Sequence, residues 1–306
     1  MRWFTLYIAG IVITLHASVI KPIPTEIKVD IRKAELGKRL FFDPILSKDN
    51  TVSCATCHDL QSGGDDGLQF SFGIKGAKGS MNTPTVYNAV FNFRQFWDGR
   101  AKDLKEQVTG PIENPVEMGH NFEELVEKLK YHPIYKKLFK SIYEEGVSKE
   151  NIADSIAEYE KRLITPNSPF DRYLKGDENA ISEQAKEGYL LFKYKGCIIC
   201  HNGVNIGGNL YNRFGIYKDT NSTEMGRYNI TKREEDKFVF RVPSLRNVAL
   251  TAPYMHDGRF KTLREAVVFM TQYQLGRYME EEEIDAIVVF LKTLTGELPS
   301  DIGRVP

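Results

Sequence analysis

Two short motifs constrain this chain more than any other feature. Cys54-Ala55-Thr56-Cys57-His58 and Cys197-Ile198-Ile199-Cys200-His201 both read C-x-x-C-H, and together they use all four cysteines of the 306 residues. This is the pattern of c-type haem attachment. Two thiols three positions apart on a helical turn can each form a thioether to a porphyrin vinyl group. The adjacent histidine then projects onto the iron as its proximal ligand. Two structural disulfides, a Cys₄ zinc site or a redox C-x-x-C pair would also use such cysteines. None of them calls for a histidine after each pair. The expected cofactors are therefore two covalently bound haem c groups, on Cys54, Cys57 and His58 and on Cys197, Cys200 and His201.

The motifs sit in an internal repeat, which should be sought early in any chain. Gly37-Lys38-Arg39-Leu40-Phe41 precedes the first, and Gly188-Tyr189-Leu190-Leu191-Phe192 precedes the second. Pro84-Thr85-Val86-Tyr87-Asn88 follows the first, and Pro243-Ser244-Leu245-Arg246-Asn247 follows the second. Then come Trp97-Asp98-Gly99-Arg100 and His256-Asp257-Gly258-Arg259, at the same spacing in both halves. The stretch Thr165-Pro166-Asn167-Ser168-Pro169 breaks helices and suits a boundary. The expected fold is mainly α: two tandem cytochrome-c-like haem domains with long loops, over 21–165 and 166–306. Ile152, Ile156, Tyr159 and Leu163 keep helical spacing, as do Ile284, Ile287, Val288, Leu291 and Leu294. The glycine-rich polar stretches 63–80 and 202–236 read as loops.

The 41 basic and 41 acidic side chains cancel, which excludes nucleic acid as the main partner, since phosphate binding needs surplus cations. Met1-Arg2 leads into an apolar run from Trp3 to Leu15. His16, Ser18 and Lys21 interrupt it before the roughly 20 residues that a spanning helix needs. Residues 1–20 read as a signal peptide, or as an N-terminal anchor. Either delivers the rest across a membrane, so the expected location is periplasmic.

The second axial position of each iron decides what the haem does. Met270 lies seven residues beyond Leu263, downstream of His256-Asp257-Gly258-Arg259, and a thioether there would raise the reduction potential. The same offset from Leu104 in the first half falls on Pro111, which has no donor atom. The first haem therefore lacks the equivalent ligand. Gln107, Glu113, Glu117, Met118 and His120 stand nearby, and Glu117 could move a proton between the oxygens of a peroxide. Trp97 reads as a core aromatic or as an electron bridge between haems.

These residues resemble the bacterial di-haem cytochrome c peroxidase family. The likeness rests on both haem motifs, on Asn82-Thr83-Pro84-Thr85, on Gln95-Phe96-Trp97-Asp98-Gly99-Arg100 and on the run from Gly110 to Gly119. It rests also on Val242-Pro243-Ser244-Leu245-Arg246-Asn247, on the run from Thr251 to Gly258, and on the run from Phe290 to Gly296. The resemblance implies a peroxidatic first haem and a high-potential second haem where electrons enter, ligated by His201 and Met270. It implies that Gln107 and Glu117 handle peroxide, that Trp97 lies between the haems, and that His256 lies near the haem propionates. It implies one calcium ion at Asn82, Thr251 and Pro253, which oxygen donors suit. The implied partners are hydrogen peroxide and a small soluble cytochrome c or copper protein as donor, with a homodimer as the assembly. One position departs from the family. Many members carry an iron-capping histidine in the loop after Ser-x-Gly, and here Ile74 stands in its place. The first haem is then expected to stay open when oxidised, with no need of reductive activation, unless His120 or Met118 caps it. A di-haem oxidase of protein side chains and a non-catalytic electron-transfer cytochrome are the alternative functions.

Overall fold

The computed structural model describes residues 19–300. The leader reading over 1–20 thus lies outside the described residues, apart from Val19 and Ile20. Among those described, no helix is long and apolar enough to cross a membrane.

The chain is mainly helical. The first half carries α1 (Ile31–Phe42), α2 (Cys54–Cys57), α3 (Leu104–Glu113), α4 (Phe122–Tyr131), α5 (Pro133–Ile142) and α6 (Lys149–Glu160). The second carries α7 (Pro169–Leu174), α8 (Glu183–Tyr194), α9 (Tyr228–Thr231), α10 (Leu263–Phe269) and α11 (Glu281–Lys292). Its sheet is a single antiparallel pair, β1 (Tyr211–Arg213) against β2 (Val239–Arg241). Local chemistry sets the helix starts. The Asp30 carboxylate accepts from the amides of Arg32 and Lys33, and Ser148 and Ser182 cap α6 and α8. Thr262 and Glu265 form a reciprocal capping box on α10.

Two buried apolar clusters organise the packing. One gathers Leu40, Phe41, Leu125, Phe139 and Ile156 around α1 and α6. The other gathers Phe170, Phe192, Ile287, Phe290 and Leu294 around α8 and α11. In each pair the helices touch at a glycine. A Cβ on Gly37 would lie 1.8 Å from the Ser155 carbonyl oxygen, and one on Gly188 would lie 1.9 Å from that of Ala286. Only glycine permits backbones to approach so closely.

The segment leading into α1 belongs to the second cluster. Ile20 is buried there and pairs with Gly203 as a short parallel bridge. Arg246, 1% exposed, donates to the Lys21 carbonyl at 2.8 Å and pairs with the fully buried Asp171 at 2.7 Å. The Asp171 carboxylate also accepts from the Ile23 amide. The segment from Ile20 to Ile23 thus packs on the second half before the chain builds the first.

Candidate haem sites

The first motif folds as a single helical turn, tied by the Ser53 amide to the Thr56 hydroxyl at 3.0 Å. Cys54, Cys57 and His58 line a cavity of about 380 Å³. The His58 Nδ1 stands 3.0 Å from the Gly64 carbonyl. With its proton on Nδ1, that ring keeps Nε2 free for a metal. Burial lowers the pKa of His58, which favours the neutral, ligating form.

Helix α3 forms another wall through Gln107, Val108, Pro111 and Ile112. Just beyond it, Glu117 lines the cavity and accepts a 2.6 Å hydrogen bond on Oε1 from Asn114 Nδ2. Burial raises the Glu117 pKa, while the Asn114 bond and the Arg100 charge partly offset that rise. The carboxyl is therefore a better proton carrier than an exposed one. The loop 71–80 braces it from behind. The Ile74 amide donates to the Glu117 carbonyl at 2.8 Å, and a Cβ on Gly73 would lie 2.2 Å from the Val116 carbonyl oxygen. The Ile74 side chain itself is buried in the first apolar cluster and is not part of the cavity wall. Met118 does line the cavity. His120 does not; its Nδ1 sits 3.0 Å from the Asn121 carbonyl. Glu113 faces outward, paired with Lys149.

The second motif forms a tight turn with Cys197, Cys200 and His201 on two adjoining spaces of about 190 and 120 Å³. His201 Nδ1 lies 3.3 Å from the Ile206 carbonyl, and burial lowers its pKa to about 4. Met270 borders the same two spaces. It opens a π-helical turn (Met270–Gln274) directly after α10, an irregularity frequent at functional sites.

Trp97 and Arg241 line all three spaces. Trp97 Nε1 donates to the Asn82 carbonyl at 2.8 Å, and its ring meets that of His256 edge-on at 6.3 Å. His256 is buried, stacked on Phe240 at 4.3 Å, with Nε2 3.1 Å from the Ser222 hydroxyl. Asn82, Thr251 and Pro253 come together on the 190 Å³ space. Asn82 Nδ2 donates to the Leu68 carbonyl, which leaves its Oδ1 for another partner. No cluster of three His, Cys, Asp or Glu suited to a metal occurs among the described residues. A calcium ion here would rest on amide and carbonyl oxygens, which suits that ion.

This donor set fits two c-type haems. Each thiol pair shares its cavity with an imidazole fixed in the ligating tautomer. Arg241 is buried and has no carboxylate partner among the described residues, and burial lowers its pKa to about 10. A guanidinium so placed would meet haem propionates.

The comparisons agree. The family described as di-haem cytochrome c peroxidase matches residues 31–179. The cytochrome c peroxidase Ccp of Escherichia coli is 49% identical over 90% of this chain, which spans 61% of that protein's length. The cytochrome c551 peroxidase of Nitrosomonas europaea is 46% identical over 92% of this chain and 85% of its own. The chain belongs to the di-haem cytochrome c peroxidase family. Membership in this family of haem oxidoreductases implies two c-type haems. Among solved structures, a MauG-like protein associated with microbial copper homeostasis has 27% identity and a TM-score of 0.82, covering 96% of this chain and 98% of its own.

Sequence reasoning passed over four residues that border the first haem site of this peroxidase relative. Asn114, which holds Glu117, lies inside a motif already singled out. Arg100, 3.4 Å above the Phe96 ring, lies inside another. Arg241 carried a signal in its apolar neighbours Phe240 and Val242. Glu160 carried one in its position on the buried face of α6, four residues after Ile156.

Proposed function

We propose that this protein reduces hydrogen peroxide to water in the periplasm, with electrons from a small soluble cytochrome c or copper protein and without prior reductive activation. One observation carries the reading. Glu117 and Gln107 share a cavity with Cys54, Cys57 and His58, while Pro111 offers no donor atom and Ile74 is turned into the core.

The chain reads as two haem units, over 21–165 and 166–306. Cys54, Cys57 and His58 would hold the first haem; Cys197, Cys200, His201 and Met270 would hold the second. Haem iron, when bound, supplies the electrons that cleave the O–O bond of peroxide. The chain's own residues do the rest. Gly64 holds the His58 ring in one tautomer. Asn114 fixes Oε1 of Glu117 and leaves Oε2 to take a proton from one peroxide oxygen and return it to the other. Gln107 orients the peroxide. Overall, H₂O₂, two electrons and two protons give two waters. Trp97, on the wall of all three spaces described above, would lie on the electron path. Asn82, Thr251 and Pro253 would hold a calcium ion between the halves, and a homodimer is the proposed assembly.

The test is the EPR spectrum of the diferric protein, paired with peroxide turnover before any reduction. A high-spin first haem with immediate turnover is expected. Two low-spin haems and no turnover would overturn the open-site reading and direct attention to Met118. A second reading, oxidation of a protein side chain, draws on the MauG-like structural relative. Stable high-valent character at both haems would favour that reading.

A further inference from the structure

The two halves align residue by residue through their hydrogen bonds. The Gly37 contact with Ser155 matches the Gly188 contact with Ala286. The Asn88 amide donates to the Leu163 carbonyl at 2.8 Å, and the Asn247 amide to the Leu294 carbonyl at 3.1 Å. The Asn88 side-chain oxygen accepts from the Thr165 amide at 2.9 Å, and that of Asn247 from the Gly296 amide at 3.0 Å. In this register Tyr159 stands where Phe290 does, and Glu160 stands where Leu291 does.

Leu291 is an apolar wall of the second cavity. Glu160 is a wall of the first. It is 6% exposed, and among the described residues its Oε2 has no hydrogen-bond partner and it forms no ion pair. An ionised carboxylate left there without a partner would be strongly disfavoured, so the group is held neutral. Burial raises its pKa to about 8. A buried polar atom left unpaired is rare in native proteins and calls for a reason. Packing is no reason, because the equivalent position is filled by leucine.

We propose that Glu160 is a second proton-carrying acid of the first haem site, which gives its proton into the cavity that it shares with Gln107 and Glu117. This rests on the peroxidase reading of that cavity. Glu117 can move a proton from one peroxide oxygen to the other, but forming two waters also requires two protons from outside. Glu160 supplies one as its O–H bond breaks, and its carboxylate is reprotonated from solvent before the next turnover. The electrons come from the donor protein, so Glu160 undergoes no redox change.

The experiment compares the holoprotein with Glu160→Gln and Glu160→Leu, each checked for two bound haems. Infrared spectra of the ferric proteins should show a protonated-carboxyl C=O band in the wild type that both variants lack. Turnover of peroxide with reduced cytochrome c as donor should be slowed about 10²-fold in both variants, the low end for a proton carrier, with an altered H₂O/D₂O isotope effect. A wild-type spectrum without the band would overturn the proposal. So would a glutamine variant that reacts at the wild-type rate, since an isosteric amide keeps the packing and loses only the proton. A wild type that shows the band but never turns over peroxide would remove the peroxidase reading, and the proposal with it.

Discussion

The two halves of this chain share a glycine-seated helix pair, an asparagine clamp and a C-x-x-C-H turn, yet they line their cavities differently. Where the second half places Met270 and Leu291, the first places Pro111 and Glu160. The second cavity is lined by a thioether and a hydrocarbon; the first lacks the thioether at that offset and gains a buried acid. A duplicated scaffold thus carries two cavities of different lining, because the shared contacts maintain the backbone and leave a few side chains free to diverge.

Breaking the polar side of the first cavity should give the largest effect. Glu117→Gln keeps the Asn114 contact but cannot carry a proton, so peroxide turnover should fall about 10²- to 10⁴-fold. Stopped-flow mixing reads this loss, and the potential of the second haem should stay where it was. A large shift in that potential would mean that the two sites are not separable.

The halves also differ in how their charges are paired. Asp171→Ala strips Arg246 of its partner in a fully buried pair. The expected loss is about 3–5 kcal/mol, read from denaturant melts, with hydrogen exchange rising first in the second half and in the 19–23 segment. Loss confined to the first half would contradict the packing described above.

The glycine seats should behave alike. Gly37→Ala and Gly188→Ala each push a methyl group into a carbonyl oxygen, and each should cost about 1–3 kcal/mol or more. Unequal costs, measured by thermal melts, would show that one helix pair can yield where the other cannot.

The smallest effect is expected at Asp154, 21% exposed between Lys33 and Lys105. Burial works against its charge, but hydrogen bonds from Lys105, Lys33 and Tyr143 outweigh it and lower the pKa to about 2. A carboxyl with a depressed folded pKa stabilises above its unfolded value, near 3.8, and loses that stabilisation as pH falls toward 2. Asp154→Asn should therefore cost about 1 kcal/mol or less at neutral pH, and nothing below pH 2. A pH series of melts on both proteins decides it.

Much of this was legible in the sequence. The haem turns follow from i, i+3, i+4 spacing, and the repeat follows from matched intervals. Met270 was found by its spacing from Leu263, and Gln107 and Glu117 by their place near Pro111, the matching position of the first half, and by the family resemblance; each does line its expected cavity. The same alignment extended to the end of α6 would have paired Glu160 with Leu291. It was not informative there, because a glutamate on an amphipathic helix ordinarily faces solvent. Ile74 could be read as a residue unable to bind iron, but not as one that packs into the core and braces Glu117 through its backbone.

The sequence by itself determined what depends on neighbours along the chain: where the thiol pairs fall, which histidine follows each, and where helices begin. Only the tertiary structure decided which charges lose their water. Among the described residues Glu160 and Arg241 end up buried without charged partners, and Arg246 reaches across 75 residues to Asp171. Burial and pairing depend on segments far apart in sequence, and the desolvation that alters an acid's chemistry arises only once those segments have packed.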